Sequence, residues 1–514
     1  LLPAVEVAAR IKAGTLSSGE VTEAYIARQT ATQARYNAVV MPLHDQARAA
    51  ARAVDIARHR GESLGPLAGV PITIKDCFEM IGVPSTLGIG RRTHVLATDE
   101  GPVIERLRRA GCVILGKTNV PQIMLMYETE NRAFGLTPHP ERTDRGCGGS
   151  SGGEGAAVAA RLSAAGIGTD LLGSIRQPAH VCGIHGFKPT MNRASLLGCV
   201  SAIRGLEAIS SQPGPMTRNM ADMIAFSRLL LEEPYDDVYT KPCRWREPST
   251  IDVSKLRIGV WEEDEIFRPS PAVRRAVRES ADALSRLGAD VRPFHMPEVE
   301  TAFRLCLELL ASGAAANVRR MLDGEKPIPP VRLSLQAWEA SPTTRRIAAA
   351  FYDKIGQPWR AKLVRWCRGC PTSDYWLQVQ ERREYVRRTT ASWRKAGFDA
   401  ILAPPHGLPA LLRGTSPQAI PAGAYAFVFN LLGSACGTVA ATRVRPGEET
   451  ERPRSKEQIE HTARQVELGS AGLPVGVQVA ALPGDDDVCL AVMQALETHF
   501  ASQPDFPPQS VPSN

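Results

Sequence analysis

Between Cys147 and Gly155 the chain reads CGGSSGGEG, five glycines and two serines in nine residues, and runs straight into the alanine-rich stretch AAVAARLSAAG. Glycine at this density costs stability inside a helix or strand, and it serves where the backbone bends sharply or approaches something closely. The segment is therefore a loop. The small side chains after it predict a tightly packed helix from Glu154 to about Ala165. A second glycine-bearing turn, Leu171-Leu172-Gly173-Ser174, follows. Two serines on permissive turns, Ser150 and Ser174, thus lie near each other in sequence.

The flanking sequence supplies regular elements of both kinds. Ser17 and Glu20 make an S-x-x-E capping box ahead of a run with helical apolar spacing. Gly69 to Lys75 (GVPITIK) alternates and is β-branched, which predicts a strand ending on a lysine. Val103 to Arg109 reads as helix and Cys112 to Leu115 as a short apolar strand. Further helices are expected near 219–232, 271–287 and 488–499, and strands near 256–261 and 475–480. From Gly414 to Thr442 no residue is charged, but Pro417, Pro421, Gly423, Asn430, Gly433 and Gly437 interrupt the run. That density favours a buried helix followed by a buried strand over a membrane span. Strands alternating with helices give an α/β fold with a substantial internal sheet. No repeat or linker divides the 514 residues, so one large domain over 1–514 is expected.

Several motifs fail on their own physics. Gly111 to Thr118 (GCVILGKT) satisfies G-x-x-x-x-G-K-[ST], yet a phosphate loop needs flexible backbone where Cys-Val-Ile-Leu makes a buried strand. Cys367 and Cys370 form one CxxC without further ligands at zinc spacing, so they read as two free surface thiols. None of the ten histidines sits in a catalytic signature, and His180 and His185 read as structural. Eleven scattered cysteines in a chain this large fit free thiols in a reducing compartment, and no secretory signal is visible after Leu1. A net charge of +7 is too mild to imply nucleic acid. The location expected is cytoplasmic.

The chemistry concentrates in Gly146 to Pro189. Backbone amides from Leu171 to Ser174 form a run suited to an oxyanion. A base is still required, and Lys75 is the candidate if burial lowers its pKa. The alternative is a packing loop, with Lys75 ion-paired to Asp76 or Asp170.

These residues resemble the amidase signature family, most closely its fatty acid amide hydrolase branch. Lys75 in VPITIKD, Ser150 in GGSSGGEGA and Ser174 in GTDLLGSIRQPA carry the resemblance. KTNVPQIM (Lys117–Met124), CGIHGFKPT (Cys182–Thr190), GPMTR (Gly214–Arg218), ILAPP (Ile401–Pro405) and GLPVGVQVAALP (Gly472–Pro483) extend it over most of the chain. The resemblance implies a single domain with a central twisted mixed β-sheet surrounded by helices. It implies a serine amidase acting on a small-molecule amide, lipophilic or aryl, with esters and carbamates also compatible. Ser174 would be the nucleophile, Ser150 the proton relay after a cis Gly149–Ser150 bond, and Lys75 the base. Amides of Leu171, Leu172, Gly173 and Ser174 would hold the oxyanion. Ser151, Asp170 and Arg176 would brace the loops, and Met124 and Gly149 would contact substrate. Neither metal nor cofactor is implied.

The family usually has glycine where this chain has Leu172, so a positive φ there would be costly and the side chain would crowd the site. Cys147, where the pattern often has proline or glycine, is a milder departure. Two alternatives follow from the resemblance: the glutamine-dependent component of an amidotransferase, which works with partner subunits, and a weakened pseudo-amidase. Segment 325–375 is expected to form a helical cap. Within it, 331–371 holds Trp338, Trp359 and Trp366 and eight Lys/Arg against two acids. It is either a lid over the pocket or a peripheral membrane contact. Homodimerisation is left open.

Overall fold

The apolar run that ends at Lys75 is buried along its whole length, and it lies among other strands of the same kind. In the computed structural model, which describes residues 2–506, the strands are β1 (Val39–Pro42), β2 (Pro71–Lys75), β3 (Val113–Thr118), β4 (Glu130–Asn131), β5 (Gly135–Leu136), β6 (Ala165–Asp170), β7 (His185–Lys188), β8 (Gln212–Thr217), β9 (Arg257–Val260), β10 (Asp290–Pro293), β11 (Ala400–Ala403), β12 (Ala435–Arg443) and β13 (Pro474–Ala481). Eleven of them form one sheet in the order β1-β3-β2-β6-β8-β7-β12-β13-β11-β9-β10; β4 and β5 pair separately. The sheet is mixed: β3, β2 and β6 run parallel, as do β11, β9 and β10, with antiparallel pairs between. The near-continuous burial of β2, β3, β6, β8, β12 and β13 is what helices on both faces of a sheet impose. The fold is the expected single-domain α/β architecture, a large mixed sheet surrounded by helices.

Local signals explain many of the boundaries. The Ser17–Glu20 box is formed in both directions and starts the helix Ser18–Tyr36. Helices Pro102–Arg109, Met220–Leu231, Pro271–Arg286 and Asp486–Phe500 stand where the periodicity put them. The uncharged stretch is the buried helix Ala424–Leu432 followed by β12. Among the described residues no helix is long and apolar enough to cross a membrane. The residues of the phosphate-loop pattern form β3 and the turn before it.

The alanine-rich helix is a correction. It runs only from Gly152 to Ala159, and Ala165 already begins β6. It ends with Arg161 at φ 58° and the Leu162 amide donating to Ala157 O at 2.8 Å, the hydrogen bond of a glycine C-cap made without glycine. At its start the backbone presses on its neighbours: a Cβ on Gly153 would lie 2.4 Å from Asn119 O. The CxxC thiols are also not fully on the surface; Cys367 and Cys370 are both half-buried and unpaired.

Segment 325–375 is helical, with helices Pro329–Glu339, Pro342–Lys354 and Pro358–Trp366. Trp359 and Trp366 pack edge-on against Phe303 of the helix Val299–Ala311. At the start of the segment, Gln122 Nε2 donates to Glu325 at 2.9 Å and Gln122 Oε1 accepts from the Ile328 amide at 2.8 Å.

Candidate active site

Lys75 closes β2, and its neighbours on the sheet and on the glycine loop enclose its amine completely. Lys75 is 0% exposed. Its Nζ is within hydrogen-bond distance of Ser150 Oγ at 2.8 Å, Thr169 Oγ1 at 2.9 Å and Thr169 O at 3.3 Å. Neither Asp76 nor Asp170 is bonded to it. Asp76 accepts instead from the Thr86 amide at 3.0 Å and the Thr86 hydroxyl at 2.7 Å, and lies 3.9 Å from Lys117 Nζ. Burial pushes Lys75 down from the usual lysine range, since its partners are hydroxyls and a carbonyl rather than a bonded carboxylate. A lowered pKa makes the unprotonated amine, the form that can act as a base, easier to reach. Glu154, buried nearby, is pushed up to about 8 by burial and accepts from the hydroxyls of Thr73 and Thr118, both at 2.7 Å.

Ser150 follows a cis peptide bond from Gly149. Ser151 ties the two serine loops together: its amide donates to Ser174 O at 3.1 Å and its hydroxyl to Thr169 O at 3.2 Å. Exposure rises in sequence through the three groups. Lys75 and Ser150 are buried, while Ser174 is half-buried on the wall of a cavity of about 760 Å3 that Ser150 also lines. Among the described residues Ser174 Oγ makes no hydrogen bond, so it is available to a molecule in that cavity.

Asp170, at the end of β6, organises the turn before Ser174. Its carboxylate takes a bidentate pair from Arg176 at 2.9 and 3.0 Å, both side chains wholly buried. It also accepts from the Gly173 amide at 2.7 Å, the Ile175 amide at 3.2 Å and Asn430 Nδ2 at 3.0 Å. Burial opposes ionisation, but the charge and hydrogen bonds of Arg176 outweigh it and hold Asp170 below the usual carboxylate range. Arg176 is completed by Gln478 Oε1 at 2.6 Å, Ala426 O at 3.2 Å and Asn430. A buried pair this fully bonded fixes geometry rather than adding stability for its own sake.

The run of amides at Leu171 to Ser174 is therefore not free throughout. The Gly173 amide is committed to Asp170, which leaves the amides of Leu171, Leu172 and Ser174 without acceptors among the described residues. The positive φ falls on Gly173, at 96°, and not on Leu172. The expected backbone strain at Leu172 does not arise, and its side chain is half-buried on the cavity wall. A Cβ on Gly173 would stand 3.2 Å from the Tyr127 hydroxyl.

Tyr127, which sequence reasoning missed, pins the same peptide from its other side. Its hydroxyl donates to Leu172 O at 2.7 Å while Asp170 holds the Gly173 N–H. With both polar groups of one peptide bonded, the plane cannot rotate, and the adjoining amides keep their direction. Tyr127→Phe is expected to lower kcat about 10-fold with KM little changed, a smaller loss than removing an oxyanion donor outright. Steady-state kinetics check this; a loss confined to KM would contradict it.

Met124, at φ 58°, lines the cavity with Leu172, Leu307, Leu310, Ile420 and Phe427. Exposed Arg204 and Glu207 stand at its solvent edge. Gly149 is not on the wall; its amide donates to Gln177 Oε1 at 3.1 Å. No residue of 325–375 is on the wall either, so that segment does not shape the pocket directly but packs one layer out, behind Val299–Ala311. His180 is structural: Nε2 pairs with Leu408 O and Nδ1 accepts from the Gly476 amide. Among the described residues no three His, Cys, Asp or Glu side chains form a metal-ligand set.

Comparison with known proteins gives a consistent picture. The model of the family described as Amidase matches residues 20–490. Fatty-acid amide hydrolase 1 of Sus scrofa is 30% identical over 521 residues, covering 97% of this chain and 86% of that protein. A glutamyl-tRNA(Gln) amidotransferase subunit from Chloroflexus aurantiacus is 38% identical, but over only 61% of this chain and 64% of the relative. A solved structure of fatty acid amide hydrolase superposes with a TM-score of 0.85 at 25% identity, over 97% of this chain and 84% of that one.

Proposed function

The chain belongs to the amidase family and is an amide hydrolase related to fatty acid amide hydrolase, and on that premise we propose that it cleaves lipophilic amides through a Ser174–Ser150–Lys75 relay and an acyl-enzyme. Neutral Lys75 takes the Ser150 proton, Ser150 takes the proton of Ser174, and Ser174 Oγ bonds to the amide carbonyl carbon. The carbonyl oxygen gains charge and is held by the amides of Leu171, Leu172 and Ser174. The C–N bond then breaks, and the Lys75 proton returns through Ser150 to the departing amine. Water enters by the same relay, adds to the acyl ester and frees Ser174. The observation that carries this reading is the 2.8 Å contact of a buried amine of lowered pKa with the hydroxyl of Ser150, which lines the same cavity as Ser174.

The cavity supports an apolar acyl group. Its walls of leucine, isoleucine, methionine and phenylalanine gain about 0.8 kcal/mol for each methylene they bury. A panel of amides graded by acyl length, with Ser174→Ala as the blank, tests it: kcat/KM should rise with chain length until the cavity is full. A flat or falling profile would oppose the lipophilic assignment. Leu172→Gly should shift the optimum toward bulkier acyl groups while keeping activity, because Leu172 acts here through its side chain and not through its φ. The match to the fatty-acid amide hydrolase relative covers 97% of this chain and 86% of that protein, against 61% and 64% for the amidotransferase subunit, which favours this reading over that of an amidotransferase component.

The proposal extends to a peripheral membrane contact through 331–371. Leu333, Ile347, Phe351 and Ile355 are each about half exposed or more, at 52%, 64%, 55% and 48%, beside the basic residues of the same helices. Such a surface is suited to anionic lipid. Co-sedimentation with phosphatidylserine vesicles should exceed that with neutral vesicles and fall at high salt; equal recovery would remove the contact.

A further inference from the structure

Two thiols stand beside the base and take no part in the steps above. Cys77 lies two residues beyond Lys75 and is fully buried; Cys199 is half-buried on the cavity wall. Backbone bonds hold their segments side by side: the Val200 amide donates to Cys77 O at 2.8 Å, and the Glu79 amide to Gly198 O at 2.7 Å. The Cys199 thiol donates to Cys77 Sγ at 3.6 Å. Cys77 Sγ in turn lies 3.9 Å from Thr169 Oγ1, the hydroxyl that accepts from Lys75. The CxxC thiols show no such arrangement, Cys370 donating to Ser312 Oγ at 3.2 Å.

We propose that Cys77 and Cys199 are an oxidation site, converted by a peroxide that enters the substrate cavity into a disulfide that reversibly lowers turnover. Cys199, on the wall, meets the oxidant first. Its sulfur bonds to one peroxide oxygen, the O–O bond breaks, and the departing hydroxide takes the thiol proton to leave as water. Cys77 sulfur then attacks Cys199 sulfur, the S–O bond breaks, and the second hydroxide leaves with the Cys77 proton as water. Two thiols are oxidised by two electrons, and one peroxide is reduced to two waters.

Closing the gap from 3.6 Å to a bond of about 2 Å must move both segments. On one side Cys77 shifts relative to Thr169, and with it the end of the strand that carries Lys75. On the other side the cavity-lining loop around Cys199 is fixed to that strand end. The loss of turnover rests on the relay proposed above; formation of the bond does not.

The test treats the purified, reduced protein with hydrogen peroxide and follows it by peptide mapping and by turnover. Expected are a Cys77–Cys199 linked peptide lighter by two hydrogens, at least a tenfold fall in turnover, and recovery on adding a phosphine reductant. Cys199→Ser and Cys77→Ser, each compared with itself before and after peroxide, should lose no turnover, whatever their starting rates. Absence of the linked peptide, or an equal loss of turnover in Cys199→Ser, overturns the proposal. A linked peptide with unchanged turnover overturns its coupling to the base. If the reduced protein instead fails to take a fluorophosphonate at Ser174, it is the relay that falls, and the peptide map still decides the disulfide.

Discussion

Ser174→Ala is expected to lower kcat for amide hydrolysis by about 10^5- to 10^6-fold, the scale seen when a nucleophile is removed from a serine hydrolase. The residual rate would come from binding and from the oxyanion donors alone. The fold should not notice. Ser174 Oγ makes no hydrogen bond among the described residues, so stability should stay within about 0.5 kcal/mol, as for surface changes away from special features. Thermal denaturation separates the two effects, and a variant equally slow but partly unfolded would weaken the assignment.

Lys75 carries the second large effect, and its sign with pH follows from burial. The protonated amine cannot accept a proton, so kcat/KM should rise with pH as Lys75 loses its charge. Burial lowers its pKa, so that limb should lie below the 10.5 of an ordinary lysine. Lys75→Ala should cost about 10^3- to 10^4-fold, the upper range for a general base. Lys75→Arg should be inactive across the whole range, because a guanidinium stays charged. Stability should move the opposite way. Between the folded pKa and 10.5 the unfolded chain binds a proton the folded chain refuses, so stability falls as pH drops through that window. Lys75→Met removes this penalty and should be more stable than the parent at neutral pH while losing hydrolysis as severely as Lys75→Ala. Urea denaturation beside an activity profile checks both signs.

What the sequence made legible was local. The Ser17–Glu20 box acts within four residues, and β2 announces itself by alternation up to Lys75. Glycines flag the loops that carry Ser150 and Ser174, and an apolar strand ends on Lys75, so the positions of these candidates are legible locally. The end of the helix Gly152–Ala159 was not legible, because Arg161 takes the left-handed conformation that glycine normally signals. The bracing of the site was hidden for a different reason. Asn430 meets Asp170 across 260 residues and Gln478 meets Arg176 across 302, and no local pattern reports such contacts. The run of amides looked uniform in sequence; only the fold-back of the Gly173 amide onto Asp170 shows which three remain for a ligand. Leu172 looked like a strained substitution, and it is not, because the positive φ sits one residue later. Thr169 stood inside a recognised motif, yet its hydroxyl matters only once β6 lies beside β2.

The central claim is that a neutral lysine drives Ser174 through Ser150, and the rate of fluorophosphonate labelling as a function of pH addresses it without any choice of substrate. The account predicts one adduct, mapped to Ser174, forming faster as pH rises along the same limb as hydrolysis. Ser150→Ala should slow the labelling and Lys75→Arg should stop it. An adduct on a different residue, or labelling of Ser174 that proceeds unchanged in Lys75→Arg, would contradict it.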